Sequence, residues 1–231
     1  MRDREGIHIA IVDYGLGNLF SVKNACEFSG MEATITSSRH EMLEADAILL
    51  PGVGAFGDAM ESLVKLDLIG PLRDVFRSNK PLIGICLGMQ LVMSESFEFG
   101  KHQGLGFIEG PVVRFDNQGT SSGRLKVPQV GWNRILKAKN GPSWSGTLLD
   151  GLRDGAYVYF VHSFYVKPLN PGVILSVSEY GGIEFCSSLR YQNIYAFQFH
   201  PERSGPQGLK IYQNLGPFIK GQKGLTQHAN A

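Results

Sequence analysis

The sequence lacks a long hydrophobic run, a surplus of either charge and a basic cluster. No apolar stretch approaches the roughly 20 residues that a membrane-spanning helix needs. The polar start MRDREG and the short apolar segment after it are not typical of a secretory signal. Lysine and arginine number 22, against 21 aspartates and glutamates. We therefore expect neither a membrane nor a nucleic-acid partner.

Cysteine is scarce as well. The three cysteines, Cys26, Cys86 and Cys186, are far apart in sequence and odd in number. They form neither a CxxC pattern of metal ligands nor the framework of a disulfide-rich fold. This usage predicts a reducing, cytoplasmic setting without a metal site, and nothing in the sequence implies a cofactor.

What the sequence does contain is an alternation of strand and helix over its first 100 residues. Continuous apolar runs of strand length, without in/out alternation, are typical of a parallel sheet that helices cover on both faces. The predicted strands are 7–12, 32–36, 45–50 and 82–85, with helices over 19–28, near 56–64 and after Pro71.

From residue 111 onward the pattern changes to short strands without intervening helices. Such a succession predicts an antiparallel or mixed extension of the first sheet, with the last strand returning to its centre. These strands are 112–115, 126–135, 157–166, 173–179, 184–190 and 194–199, before a helix at 208–215. Loops are predicted at 116–123 and 140–146 from their composition.

Cys86 lies where the strand 82–85 meets a predicted helix at 89–93, between Gly84 and Gly88. The spacing G-x-C-x-G is that of a nucleophile elbow, a sharp turn that exposes its central residue at the carboxyl end of a strand. The N-terminus of the following helix would favour the thiolate. Taken alone, the pattern also fits a small hydrophobic residue in the core.

His200 ends the last predicted strand and is followed by Pro201 and Glu202. Because residues i and i+2 of an extended segment face the same way, Glu202 can reach the His200 ring and fix its tautomer. An isolated His-Pro-Glu triplet is more often a surface turn. Together with Cys86, it supplies the nucleophile, base and orienting group of covalent acyl transfer.

The turn Pro51-Gly52-Val53-Gly54 directly follows another predicted strand. Backbone N–H groups of Gly52 and Val53, with that of Leu87, are suited to stabilise an oxyanion. A plain strand-to-helix turn and a phosphate-binding loop are the alternatives. The turn lacks the lysine of a P-loop, which argues against nucleotide binding.

The cysteine elbow, the glycine-rich turn and H-x-E near the end, in that order, resemble the class I (triad) glutamine amidotransferases. Further segments narrow the resemblance to the glutaminase subunits of imidazole glycerol phosphate synthases: IVDYGLGNLFSVKNA, LPGVGAFGDAM, GICLGMQL, GLGFIEG, VPQVGWN, YFVHSFYV and FQFHPERSG. The resemblance spans Ile7 to Leu215. It implies one domain over 1–231, with an open, mixed, mostly parallel α/β sheet of flavodoxin-like fold and helices on both faces.

The resemblance also implies an activity, the hydrolysis of L-glutamine to glutamate and ammonia. Cys86 would be the nucleophile, His200 the general base and then acid, and Glu202 its orienting group. The implied oxyanion hole consists of Gly52, Val53 and Leu87. The implied glutamine-binding residues are Gln90, Glu98, Ser163 and Phe164.

The implied partner is a (β/α)8-barrel cyclase subunit that forms a heterodimer with the glutaminase. Ammonia would pass to it without meeting bulk solvent and react with N'-[(5-phosphoribulosyl)formimino]-AICAR ribonucleotide. The products are imidazole glycerol phosphate, for histidine biosynthesis, and AICAR. The positions that resemble the subunit interface are Asn18, Trp132, Tyr159 and Arg203.

Other functions remain compatible with the same triad. The segment 186–193, CSSLRYQN, departs from the usual sequence of the family. Paralogues with similar triads supply ammonia to amidotransferases of amino-sugar surface polysaccharide biosynthesis, and a γ-glutamyl cysteine hydrolase would differ only in pocket size. A binding protein without catalysis would be expected to lack a triad residue, and all three are present.

Overall fold

The computed structural model describes residues 6–116 and 125–229. The loop predicted at 116–123 lies, apart from Asp116, outside the described residues. The strands are β1 (His8–Val12), β2 (Glu32–Thr36), β3 (Ala47–Gly52), β4 (Leu82–Cys86), β5 (Met93–Ser96), β6 (His102–Gln103), β7 (Ile108–Arg114), β8 (Gln129–Lys137), β9 (Ala156–His162), β10 (Phe164–Val166), β11 (Ile174–Tyr180), β12 (Ile183–Tyr191) and β13 (Ile194–Phe197).

The helices are α1 (Leu19–Phe28), α2 (Arg39–Glu44), α3 (Phe56–Lys65), α4 (Ile69–Arg77), α5 (Leu87–Leu91) and α6 (Gly205–Ala229). Short 3-10 turns span Pro171–Val173 and Pro201–Arg203. No helix within the described ranges is long and apolar enough to cross a membrane.

Nine strands form one sheet in the order β2-β1-β3-β4-β13-β12-β11-β8-β9. The five strands from β2 to β13 pair in parallel. From β13 to β9 every pairing is antiparallel. The prediction of a mixed sheet is therefore confirmed, and so is the return of the last strand to the centre, where β13 lies beside β4.

Helices cover both faces of the parallel half, because its central strands are apolar on both sides. Residues of α1 and α6, such as Val22 and Leu215, pack on one face against Ile9 and Ile85. Residues of α2, α3, α4 and α5 pack on the other face. This arrangement explains why β3 and β4 are buried throughout.

Four strands form a second sheet in the order β10-β7-β5-β6. Two local predictions are wrong because of it. The predicted strand 157–166 is interrupted at Ser163, since β9 pairs with β8 in the large sheet and β10 with β7 in the small one. The helix predicted to reach Met93 ends at Leu91, because Met93 begins β5.

Candidate active site

The parallel strands bring the three predicted catalytic segments to one edge of the sheet. Gly52 at the end of β3 is paired with Cys86 at the end of β4. On the other side of β4, Phe197 of β13 is paired with Ile85, and His200 follows three residues later. Ligand sites of open α/β sheets lie at this carboxyl edge.

The backbone at Cys86 has the geometry of an elbow. Its φ of 54° and ψ of −106° are unfavourable for a residue with a side chain. A Cβ at Gly88 would overlap the Leu50 carbonyl oxygen, and one at Gly84 would lie 2.9 Å from the Gly88 carbonyl carbon. Both glycines are therefore required, because the turn brings α5 directly against β3 and β4.

A cavity of about 290 Å³ opens beside Cys86. It contains predicted oxyanion and glutamine-binding positions, together with residues that the motifs did not single out. The lining residues are Val53, Gly54, Cys86, Leu87, Gln90, Glu98, Pro128, Val161, His162, Ser163 and Phe164. Among the unpredicted ones is His162, which directly precedes the predicted binding residue Ser163 in the sequence.

His200 and Glu202 form the predicted pair. The Nδ1 of His200 lies 2.8 Å from Oε1 of Glu202, and their side chains are 5 % and 1 % exposed. Because the carboxylate accepts, Nδ1 carries the proton of this bond. The other ring nitrogen, Nε2, is buried and makes no hydrogen bond within the described residues.

The charge state of His200 depends on its two neighbours. Burial by itself lowers the pKa of His200, but Cys86 and Glu202 together outweigh it and raise the pKa to about 10. A raised pKa means that the ring retains its proton across neutral pH. His200 is thus suited to be an imidazolium beside the cysteine sulfur.

Replacing Glu202 with glutamine is expected to lower the pKa of His200, because the charged acceptor of the Nδ1–H bond is lost. For the glutamine hydrolysis that the resemblance implies, the alkaline limb of the pH profile should then move to lower pH, and maximal turnover should fall roughly 100-fold. Steady-state kinetics over pH measures both. Glu184→Gln, at an exposed position, is the matched control. An unshifted alkaline limb in Glu202→Gln would contradict this role.

The glycine-rich turn is fixed from behind by Tyr14. The Tyr14 hydroxyl donates a hydrogen bond to the Pro51 carbonyl at 2.8 Å, and a Cβ at Gly52 would overlap that hydroxyl. Gly54 has a φ of 104°, a conformation that glycine adopts readily. The turn thereby presents Val53 to the cavity.

Gln90 and Glu98 both line the cavity, and each also supports the backbone around it. The Gln90 amide nitrogen donates to the Phe164 carbonyl at 3.1 Å. Glu98 accepts the N–H of Phe56 at 2.6 Å, at the start of α3. Burial raises the pKa of Glu98, while this bond and His102 oppose the shift.

The backbone at Ser163 and Phe164 is held by several bonds. The Ser163 carbonyl accepts the N–H of Phe115 at 3.0 Å, and the Phe164 carbonyl accepts from Nδ1 of His162 at 2.8 Å. Burial lowers the pKa of His162 to about 4, and nearby His200 adds to this shift. His162 is therefore neutral near pH 7, with its proton on Nδ1.

Of the four predicted interface residues, three lie together. Trp132 and Tyr159 are directly opposite on β8 and β9, with ring centroids 6.1 Å apart. The Arg203 guanidinium lies 4.5 Å from the Tyr159 ring centroid. Asn18 is exposed at the start of α1, and α1 contacts the turn that contains Arg203.

Among the described residues, no group of three or more histidine, cysteine, aspartate or glutamate side chains is placed to hold a metal ion.

Comparisons with known proteins identify the family of the chain. The model of the family described as glutamine amidotransferase class-I matches residues 10–216. The imidazole glycerol phosphate synthase subunit HisH 1 of Legionella pneumophila (strain Lens) is 42 % identical over 90 % of this chain and 97 % of its own length. The subunit HisH of Geobacter metallireducens is 47 % identical over 90 % of this chain and 96 % of its own.

Solved structures show the same fold at low identity. A putative GMP synthase subunit from Thermoplasma acidophilum is 18 % identical with a TM-score of 0.68, over 97 % of this chain and 99 % of its own. PurLQS from Thermotoga maritima is 16 % identical with a TM-score of 0.70, over 93 % and 99 %. The chain belongs to the class-I glutamine amidotransferase family, among the relatives named as imidazole glycerol phosphate synthase subunit HisH.

Proposed function

We propose that this chain is the glutaminase subunit of an imidazole glycerol phosphate synthase in histidine biosynthesis. It hydrolyses L-glutamine and delivers ammonia to a (β/α)8-barrel cyclase subunit, and residues 1–231 act as one amidotransferase domain. The observation that carries the proposal is Cys86, held in a strained elbow beside a cavity, with the bonded pair His200 and Glu202 just after the neighbouring strand. The identity to HisH subunits supports the choice of pathway.

The chemistry follows from covalent catalysis by a cysteine. The Cys86 thiolate, its proton transferred to His200, forms a bond to the carboxamide carbon of glutamine. The tetrahedral oxyanion is stabilised by the backbone N–H groups of the glycine-rich turn and of Leu87. His200 then protonates the nitrogen as the C–N bond breaks, and ammonia leaves.

Water completes the cycle. It loses a proton to His200 as it attacks the glutamyl thioester, and the C–S bond breaks to release glutamate and restore the thiolate. Glu202 keeps the His200 ring oriented through both steps, because its carboxylate holds Nδ1–H.

The remainder of the cavity suits the other end of glutamine. Glu98 supplies a carboxylate for the α-ammonium group, and the backbone of Ser163 and Phe164 receives the α-carboxylate. All three residues line the same cavity as Cys86. A cavity of about 290 Å³ has room for a free amino acid such as glutamine.

An exposed apolar strip on β8 and β9 is the proposed docking surface for the cyclase. Val130, Trp132 and Tyr157 on this hairpin are each more than half exposed. Val130 is paired with Val161, which lines the cavity, so the strip reaches the catalytic pocket. Exposed aromatic residues beside an arginine are typical of interface hot spots.

Trp132→Ala is expected to weaken binding of the cyclase about 30-fold, since a central aromatic residue contributes roughly 2 kcal/mol at such surfaces. Isothermal titration of the two purified subunits measures the dissociation constant. Leu169→Ala removes an exposed apolar side chain outside the strip and serves as control. Equal affinity for the wild type and Trp132→Ala would rule out this surface.

The partner itself is tested by purifying the chain from its host and identifying what remains bound. A (β/α)8-barrel cyclase, with glutamine-dependent formation of imidazole glycerol phosphate, is the expected result. An adenylating sugar amidotransferase in its place would assign the chain to surface polysaccharide synthesis and refute the histidine pathway.

A further inference from the structure

Gln198 bridges two residues that line the glutamine pocket, Cys86 and Gln90, although it does not line that pocket itself. Its side chain is fully buried directly after β13, two residues before His200. Its Nε2 is 3.8 Å from the Sγ of Cys86, and its Oε1 accepts from the Nε2 of Gln90 at 3.2 Å. A buried amide that contacts the nucleophile at one end and a pocket residue at the other invites a functional explanation.

The Phe164 carbonyl, Gln90, Gln198 and Cys86 form a chain of contacts. The carbonyl determines which end of the Gln198 amide faces Cys86. The Phe164 oxygen only accepts hydrogen bonds, so Gln90 must direct its NH2 group toward it. That same NH2 group has a second proton, for which Gln198 must offer its oxygen. The NH2 group of Gln198 is then left to face Cys86.

His162 reinforces this assignment. Its Nδ1 donates to the same Phe164 carbonyl, so both lone pairs of that oxygen are occupied by donors. A reversed Gln90 would place its oxygen against the carbonyl oxygen of Phe164, and a reversed Gln198 would place two NH2 groups against each other. The network has one consistent orientation.

We propose that Gln198 is a further catalytic residue, whose amide N–H donates to the Cys86 sulfur and stabilises its anionic form, while its oxygen fixes Gln90 against the pocket. This inference rests on the proposed function of the site. The Val161 carbonyl, also 3.8 Å from the sulfur, accepts from a thiol but repels a thiolate. Gln198 offsets that repulsion, because a donor to a charged sulfur is stronger than one to a neutral thiol.

Two substitutions separate the two roles of the amide. Gln198→Glu keeps an oxygen for Gln90 and replaces the donor facing sulfur with a second oxygen. Gln198→Met removes both interactions at similar volume. Asn193→Asp is the matched control, since Asn193 is also a buried amide that donates to backbone carbonyls, those of Lys80 and Val75, at the opposite end of β13.

The first readout is the rate at which iodoacetamide alkylates Cys86 in the full chain as a function of pH, followed by peptide mass mapping. Cys26 and Cys186 are buried and their thiol pKa values are raised, so they contribute little. The midpoint of the profile should rise by about one pH unit in both Gln198 variants, the size of a lost hydrogen bond to a charged group. Asn193→Asp should leave the midpoint in place.

The second readout is glutamine turnover by the partner-bound protein. Gln198→Glu should lower kcat about tenfold with little change in KM, because Gln90 stays held, whereas Gln198→Met should also raise KM. An unchanged alkylation midpoint in both folded variants would overturn the proposal. Should one variant fail to fold, the other decides.

Failure of this inference is distinguishable from failure of the proposed function. The alkylation profile requires neither glutamine nor a partner, so it tests the contact between Gln198 and Cys86 directly. A shifted midpoint in a chain that never hydrolyses glutamine would uphold the contact and refute the glutaminase. An unchanged alkylation midpoint in the Gln198 variants of an active glutaminase would refute the contact and leave the proposed function standing.

Discussion

Replacing Cys86 with alanine is expected to abolish glutamine-dependent synthesis by the complex, with a loss of at least about a thousandfold. Alanine retains the fold of the elbow but has no atom to attack the carboxamide. Synthesis from added ammonium should remain at the wild-type rate, because that route bypasses the glutaminase. The rates of product formation from glutamine and from ammonium measure the two reactions side by side.

Cys26→Ala is the control for the loss of a buried cysteine. Cys26 lies on α1, in the core on the face of the sheet that α1 and α6 cover. The Cys26→Ala substitution should leave the rates from glutamine and from ammonium within about twofold of wild type, since its effect is confined to stability. Wild-type synthesis from glutamine by Cys86→Ala would show that another residue is the nucleophile.

Gly88→Ala is expected to lower the free energy of unfolding by about 3 kcal/mol or more, and to abolish glutamine turnover with it. A Cβ at this position would overlap the Leu50 carbonyl oxygen. Backbone on both sides leaves no flexible side chain to move aside, so α5 must separate from β3. Urea unfolding followed by circular dichroism gives the free energy.

Gly221→Ala provides the comparison. Gly221 is an exposed position of α6 with no atom within 4 Å of an added Cβ. There alanine should be neutral or stabilise by up to about 1 kcal/mol, because it is the better helix former. Equal stabilities for Gly88→Ala and the wild type would mean that the elbow is not tightly packed.

Local sequence patterns were sufficient for the parallel half of the sheet. Its strands are short apolar runs between helices, and the observed α1 and β2 have the predicted bounds. The short α2, by contrast, has six residues and one buried position, Met42, which is too little periodicity to detect.

The small sheet shows where local patterns fail. The segment from Ala156 to Val166 is rich in strand-forming residues on both sides of His162 and Ser163, and two polar residues alone do not predict a break. The break arises because β8 and β7, both distant in sequence, each pair with one part of the segment. Pairing of this kind is a tertiary preference that overrides local propensity.

The candidate site was accessible from sequence because its geometry requires particular residues. Gly84 and Gly88 are there because no side chain fits, and Glu202 reaches His200 because of its spacing. The role of Gln198 could not be predicted from the sequence, because a single glutamine between two phenylalanines does not indicate which groups its amide contacts. The packing of α5 against β13 places Gln198 next to Gln90 and Cys86.

The central claim is that Cys86 forms a covalent bond to the glutamyl group, and trapping that bond tests it most directly. The partner-bound protein is mixed with glutamine, quenched in acid within one turnover and digested for peptide mass spectrometry. A glutamyl thioester on the peptide containing Cys86, absent from Cys86→Ala, is the predicted result. Glutamine turnover with the adduct on another residue, or with none at any quench time, would contradict the account.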